Sequence, residues 1–272
     1  MKFLFNKLLS IQPWKVQVGA LLLQNAYFLP WLKRVPCSTL NCHACPAATF
    51  ACPIGSLQSF GANHQFPFYI LGFLGGIGIL VGRLSCGWFC PFGFLQDMLY
   101  RIKTPKITVD YNLGWIRYVM LFILVATVPL LTQELWFCKL CPAGTLEAGI
   151  PLVLTDAGLR AQIGNFFVLK LSILVAFIGA MMLIKRPFCR FACPLGAIYA
   201  PFNRHSVLHL EVDQDVCIKC DKCWDVCPVD IKIYEDANSP ECIRCFECAR
   251  VCPVSAIGHR RSELANEALE HS

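Results

Sequence analysis

Two cysteine runs carry the most specific chemistry in the chain. The first is Cys217, Cys220, Cys223 and Cys227 followed by Pro228, and the second is Cys242, Cys245, Cys248 and Cys252 followed by Pro253. Both read C-x2-C-x2-C-x3-C-P, the spacing that holds a pair of [4Fe–4S] cubanes, with the fourth cysteine of each run reaching across to the other cluster. Three thiolates at three-residue intervals can wrap three corners of a cubane, and the proline stops a helix from closing over the fourth. The assignment is Cys217, Cys220, Cys223 and Cys252 for cluster 1, and Cys242, Cys245, Cys248 and Cys227 for cluster 2. Zinc sites and disulfide frameworks use other spacings. A domain of this kind moves electrons.

The remaining cysteines are carried by a very different part of the chain. With 272 residues, 56% of them hydrophobic and only 15% charged, the protein has a mean hydropathy of +0.53, too apolar for an ordinary soluble domain. The net charge of +6 is explained by basic residues flanking apolar spans, and nothing points to nucleic acid. Eighteen cysteines would suggest a disulfide scaffold in a small secreted protein, but eight belong to runs whose thiolates need a reducing, cytoplasmic compartment. An amphipathic lead-in over residues 1–12 carries Lys2 and Lys7, and no cleavable signal peptide is evident. Four spans approach the ~20 residues that cross a ~30 Å hydrocarbon core: Trp14–Leu32, interrupted by Gln17, Gln24 and Asn25, then Phe66–Leu84, Trp115–Leu131 and Phe166–Ile184. Buried core helices are the alternative reading of these spans. Lys2, Lys7, Lys15, Arg83, Arg101, Lys103, Lys106, Arg117, Lys185, Arg186 and Arg190 fall on one side; Lys33, Arg34, Lys139, Arg160 and Lys170 fall on the other. The richer side is expected inside, which puts both termini and the cluster-binding domain in the cytoplasm of a bacterial inner membrane.

The membrane part reads as an internal repeat. CHACPAAT (Cys42, Cys45), a span, and CGWFCPFG (Cys86, Cys90) are followed by CKLCPAGT (Cys138, Cys141), a span, and CRFACPLG (Cys189, Cys193). Each half contributes two spans, so the halves run in the same direction about an axis along the membrane normal. A pseudo-twofold would then gather four sulfurs at an inner membrane site (Cys86, Cys90, Cys189, Cys193) and four at an outer membrane site (Cys42, Cys45, Cys138, Cys141), a normal complement for an iron–sulfur cluster. The following prolines, with Gly87, Gly93 and Gly196, suit irregular backbone that protein must bury at membrane depth. Copper or zinc fits the same sulfurs, and the outer pairs could be disulfides in an oxidising periplasm. Cys37 and Cys52 have no partner in the second half, where Ala148 stands opposite Cys52; a disulfide between them is preferred, with a role as alternative ligands left open.

With CGWFCPFG and CRFACPLG ahead of two ferredoxin runs, residues 60–260 resemble the NapH/NosR/CcoG group of polyferredoxin membrane proteins, in layout most of all the NapH-type subunit. The resemblance implies membrane electron transfer, usually quinol dehydrogenation feeding a periplasmic reductase. The outer C-x-x-C-P pair and Cys37 and Cys52 depart from that pattern.

The expected architecture is a membrane all-α domain over residues 1–204, with four transmembrane helices in repeat halves 14–104 and 115–204. A bacterial-type 2[4Fe–4S] ferredoxin domain (α+β) follows over 205–261, then a polar tail over 262–272 without an assigned role. The expected function is that of a membrane-bound electron-transfer subunit of an oxidoreductase, with a quinol dehydrogenase as one form of it. Its electrons would move between the two ferredoxin clusters, one or two further clusters in the membrane, and a quinone or an extracytoplasmic cytochrome or iron–sulfur protein. A chain with so little extramembrane mass is expected in a larger redox complex. His64, with Glu134 and Glu147, is the candidate proton acceptor for quinol oxidation. CHACP around His43 lacks the C-x-x-C-H order of haem attachment. Lys219, Lys222, Lys232, Arg244 and Arg250 are expected to form either a docking face for an acidic partner or merely solvated surface. Two other classes stay open: a copper-reducing assembly factor, and a ferredoxin domain on a redox-silent membrane anchor.

Overall fold

The structure, a computed structural model, describes residues 10–26, 32–33, 35–109, 111–161 and 163–258. Residues 1–9 of the expected lead-in, residues 27–31 of the first span, and the polar tail lie outside the described residues. The helices that position the cysteines are, in chain order, α1 (Pro13–Gln24), α2 (Pro53–Ala62), α3 (Phe68–Val81), α4 (Leu84–Trp88), α5 (Pro91–Tyr100), α6 (Leu113–Thr132), α7 (Trp136–Leu140), α8 (Pro142–Gly144), α9 (Asn165–Leu183), α10 (Pro194–Tyr199), α11 (Lys222–Asp225) and α12 (Glu247–Val251). A two-stranded antiparallel sheet joins β1 (Glu211–Val212) to β2 (Ile257–Gly258), with Glu211 opposite Gly258, and so ties together the two ends of the ferredoxin region.

Among the described residues, two helices are long and apolar enough to cross a membrane: α6 with 20 residues and α9 with 19. At ~1.5 Å per residue each rises close to the ~30 Å of a hydrocarbon core. Only 22% and 11% of their most apolar windows are buried inside the chain. Phe122, Leu131, Val168 and Val175 instead face outward, an apolar surface of the kind a membrane or partner covers. A π turn over Leu121–Thr127 interrupts the α-helical geometry of α6.

The other two expected spans form shorter helices, of 12 residues in α1 and 14 in α3. The early end of α3 has a local cause. Gly82 takes φ +58, where a Cβ would lie 2.5 Å from Asn203 Oδ1, so the backbone leaves the helix in a left-handed turn that only glycine fits without strain. Arg83 N–H then donates to the same Asn203 oxygen.

Four cysteines followed by proline start a helix, whereas Cys45, followed by Pro46, does not. Pro53, Pro91, Pro142 and Pro194 occupy first-turn positions of α2, α5, α8 and α10, with Cys52, Cys90, Cys141 and Cys193 at the N-caps in extended backbone. Proline is pre-set for that position because the N–H it lacks has no intrahelical partner there. Packing then crosses the chain: α5 lies on α9, and α10 lies on α3. One continuous apolar core runs from Leu74, Trp88, Phe92, Phe188 and Tyr199 into Leu210, Val229, Ile243 and Phe246 of the ferredoxin region. The two parts are therefore packed together and not merely strung on a linker.

Candidate cluster sites

The two ferredoxin runs fold alike, twenty-five residues apart. Lys219 and Arg244, Asp221 and Phe246, and Asp230 and Ser255 all hold positive φ, between 49° and 62°. Such backbone costs a non-glycine residue on the order of 1–2 kcal/mol, and here it turns N–H groups toward sulfur. Arg244 N–H donates to Cys242 Sγ at 3.4 Å and Ala256 N–H to Cys252 Sγ at 3.3 Å. Cys217, Cys220, Cys223 and Cys252 line one cavity; Cys227, Cys242, Cys245 and Cys248 line a second, with Cys223 at its edge. The fourth cysteine of each run thus stands beside the other run's first three. Burial pushes the Cys242 thiol up to about 11 and raises Cys248 well above its ordinary value.

At the inner membrane site Cys86, Cys90, Cys189 and Cys193 are all buried and lie within electrostatic reach of one another. Cys90 Sγ accepts from Gly93 N–H, and Cys193 Sγ from Gly196 N–H, both at 3.4 Å. Arginines are exchanged across the pair of loops. A Cβ on Gly93 would meet Arg186 NH1 at 3.1 Å and Cys86 O at 3.3 Å; one on Gly196 would meet Arg83 NH2 at 3.0 Å and Cys189 O at 3.3 Å. Gln96 holds the third side: its Nε2 donates to Cys189 Sγ at 3.0 Å while its Oε1 accepts from Phe188 N–H at 3.2 Å. Arg83 and Arg186 are buried. Arg186 is paired with Asp97, whereas Arg83 and Arg117 share Glu241. Four thiols, convergent N–H donors and a surplus of buried positive charge fit an anionic iron–sulfur cluster.

This site is in direct contact with the second ferredoxin run. Trp88 Nε1–H donates to Arg244 O at 3.0 Å, and Arg83 NH1 to Pro240 O at 2.7 Å. Arg117 grips Glu241 through two bonds of 2.6 Å. Gly87 is pressed so closely that a Cβ there would lie 2.4 Å from Ile243 O and 3.4 Å from Cys245 N. The second ferredoxin run, through Ile243 and Cys245, is therefore the one that abuts these inner cysteines. Arg244 is buried in the same contact, donating to Val81 O and Asn203 O, and Arg250 bonds Glu247 and Ile11 O. Both belong to this internal contact and not to a docking face; Lys219 and Lys222 are exposed.

At the outer membrane site the structure brings Cys42, Cys138 and Cys141 together, and it adds Cys52. Cys141 is in electrostatic reach of Cys52, Cys138 and Cys42, and Cys42 Sγ would lie 3.4 Å from a Cβ on Gly144. Cys45 packs with Ala48 and Ala148, with Cys42 against the same small cluster, and its sulfur lies 4.0 Å from Asn25 Oδ1. The disulfide expected between Cys37 and Cys52 is not formed, since all eighteen cysteines are free. Cys37 Sγ is turned instead to Thr39 O at 2.9 Å, and Cys52 faces the backbone N–H groups of Ile54 and Gly55. Among the described residues no group of three or more His, Cys, Asp or Glu is gathered to hold a single metal ion. The two ferredoxin runs share that wider spacing. A lone tetrahedral ion at ~2.3 Å from each sulfur needs its sulfurs within about 4 Å of one another.

The proton-acceptor candidates separate. His64 is exposed, with φ +53, just past α2, and Glu134 pairs with Lys139 on the surface at 2.7 Å. Glu147 is turned inward and accepts from Cys42 N–H at 2.7 Å. Sequence reasoning missed Gln58 and Gln96. Their signal was present in CPIGSLQ and CPFGFLQ, where a glutamine lies six residues beyond the capping cysteine.

Comparison with known proteins agrees with this chemistry. A family described as 4Fe-4S binding domain matches residues 63–108, 113–150 and 166–212, and another of the same description matches 210–232. An uncharacterized protein of Methanocaldococcus jannaschii is 34% identical over 176 residues, which is 60% of this chain and 66% of that protein. The methylamine utilization ferredoxin-type protein MauN of Methylobacillus flagellatus is 27% identical over 54% of this chain and 48% of its own length. The ferredoxin-type protein NapH of Escherichia coli is 25% identical over 65% of this chain and 59% of its own. The matched stretches thus span about half to two thirds of these relatives. No solved structure matches. With its repeated cluster-binding segments and its likeness to NapH and MauN, the chain belongs to the ferredoxin-type polyferredoxin proteins, with 4Fe-4S binding domains along its length.

Proposed function

We propose that the chain is the membrane-bound electron-transfer subunit of a larger oxidoreductase. It would relay electrons among two ferredoxin [4Fe–4S] clusters, an inner four-cysteine cluster, an outer one, and a quinone or extracytoplasmic redox partner. In this reading residues 1–204 form the membrane domain, made of two parallel-related halves, and 205–261 form the ferredoxin domain. α6 and α9 cross the bilayer, and the shorter α1 and α3 complete four crossings with their flanking residues. Both termini lie in the cytoplasm. The observation that carries the reading is the seating of cluster 2 on the inner site, with Gly87 against Ile243 and Cys245. A redox-silent anchor has no use for so close an approach between two sets of cysteines.

An open cavity of about 720 Å³ sits at this junction, lined among others by Trp14, Gly87, Asp97, Arg186 and Cys245. Its size suits a quinone-like ring, and its charged wall beside two cluster sites supplies the hydrogen-bonding groups such a ring needs. The test is Cys86→Ser or Cys193→Ser in the purified chain. About four irons per chain should be lost, and electron transfer beyond the ferredoxin clusters should stop, while the paramagnetic signals of those two clusters persist. Unimpaired transfer would leave a ferredoxin on an inert anchor.

A further inference from the structure

The four cysteines that cap helices share a rule that the paired C-x-x-C-P and C-x-x-x-C-P spacings conceal. Each capping cysteine is followed three residues on by glycine and six residues on by a polar side chain: Cys52, Gly55, Gln58; Cys90, Gly93, Gln96; Cys141, Gly144, Glu147; Cys193, Gly196, Tyr199. In the structure each sixth residue turns to a cysteine of the opposite half. Gln96 Nε2 donates to Cys189 Sγ at 3.0 Å, and Gln58 Nε2 donates to Cys138 Sγ at 3.2 Å. The likeness extends to the backbone, for Phe188 N–H donates to Gln96 Oε1 at 3.2 Å and Phe137 N–H to Gln58 Oε1 at 3.1 Å.

The return direction follows the same rule. Tyr199 is fully buried, its hydroxyl has no hydrogen-bond partner among the described residues, and it lies in electrostatic reach of Cys86 and, less strongly, of Cys37. Glu147 Oε2 accepts from Cys42 N–H at 2.7 Å. Cys42 therefore stands to Glu147 as Cys86 stands to Tyr199, and Cys52 stands to Gln58 as Cys90 stands to Gln96. Cys45, next to Ala148 and Asn25, has no counterpart at the inner site.

We propose that the outer membrane site is a [4Fe–4S] site held by Cys42, Cys52, Cys138 and Cys141, with Cys37 and Cys45 outside the ligand set and Gln58 as the positioning residue for Cys138. The proposal rests on the electron-relay reading for its meaning, and its ligands are argued from how the cysteines are placed: Cys37 is also in electrostatic reach of Cys52, but its sulfur is turned to Thr39 O. A second, independent observation supports it: the middle match to the 4Fe-4S binding domain, over residues 113–150, contains Cys138 and Cys141. The outer site also differs in charge. Where the inner loops present Arg83 and Arg186, here His43 Nδ1 lies 2.8 Å from the position of a Gly55 Cβ, and a carboxylate, Glu147, takes the fourth place.

The experiment is an iron and acid-labile sulfide count, with paramagnetic resonance, on the anaerobically purified full chain and its Cys52→Ser, Cys45→Ser and Cys37→Ser variants. Wild type should carry about sixteen irons per chain and C52S about twelve, while C45S and C37S keep the full count. Loss of four irons in C45S with none in C52S would overturn the ligand set yet leave the relay intact. A wild-type count of twelve with the inner signal present would remove the outer cluster altogether. Should C52S fail to fold, as loss of its ferredoxin signals would show, Gln58→Leu decides. It should alter one cluster's spectrum and leave unchanged the one that Gln96→Leu alters. A Q58L spectrum identical to wild type refutes the proposal.

Discussion

The contact at Gly87 is the point where the relay should be easiest to break without touching a ligand. A methyl group there would sit 2.4 Å from Ile243 O, whereas a carbon needs about 3.4 Å from a carbonyl oxygen, so one backbone must retreat by about 1 Å. Neither can do so cheaply. Gly87 is within α4, between Cys86 and Trp88, and Ile243 follows Cys242 in a loop held by Asn203 and Glu241. Overpacking of this kind costs about 1–3 kcal/mol. Because the clash lies between the two parts of the molecule, the cost should fall on their docking, lowering the docking equilibrium constant by a factor of about 5 to 150. Gly87→Ala is expected to bind its full complement of iron. Hydrogen exchange should rise along residues 240–246, the magnetic coupling between cluster 2 and the inner cluster should weaken, and reduction of the inner cluster through the ferredoxin clusters should slow. Gly179→Ala is the control, since nothing lies within 4 Å of a Cβ at that position. Unchanged coupling and unchanged exchange in G87A would refute the claim that this contact sets the distance between the two sites.

Three further outcomes follow from the same geometry. Glu241→Gln leaves Arg83 and Arg117 buried without their shared carboxylate, so stability to denaturant should fall by about 3–5 kcal/mol, and part should return in the E241Q/R117M double variant; an unshifted midpoint in E241Q would show the pair to be idle. Gln96→Leu removes the amide that Cys189 sulfur accepts from. At ~1 kcal/mol for such a bond, the inner cluster should become harder to reduce by about 40 mV in a one-electron couple, read by redox titration with the ferredoxin potentials as internal reference. Loading of the iron-free chain should depend on pH, because burial holds the Cys242 thiol up to about 11 and iron takes the thiolate. Each bound sulfur must release a proton, so iron uptake at cluster 2, followed by its absorbance, should rise from pH 7 to 9 and fall toward pH 6. A flat profile would contradict this.

How far the sequence could be read depended on where its letters carried geometry. The ferredoxin cysteines were legible because their spacing alone forces the crossing of the fourth ligand. The left-handed positions beside them were not: Lys219, Arg244 and Phe246 are residues no turn rule would choose, and they hold that backbone only because packing and the direction of the N–H groups demand it. Helix length failed for a related reason. Hydropathy continues through Gly82, but Asn203, far along the chain, occupies the space a side chain would need there, and α3 stops.

The arginines show how one residue type can carry two messages. Arg83, Arg117, Arg186 and Arg190 count toward the basic face by which a topology is read from sequence, yet all four are buried. Three of them engage carboxylates at the seam beneath the ferredoxin region, and Arg190 donates to Val109 O. Their positive charge compensates thiolates and carboxylates as much as it reports a membrane side. Removing them should therefore disturb cluster binding before it disturbs insertion. In the outer loops the same logic runs in reverse. Matching on C-x-x-C-P-A sets Cys45 opposite Cys141 because both are followed by proline and alanine. A helix cap is defined by what comes after it in space, however, and Cys52, with Gly55 and Gln58 behind it, is the cysteine that repeats the construction of Cys90. If that construction is what makes a cluster site, then Cys45 should tolerate serine and Cys52 should not, however alike the two look in one dimension.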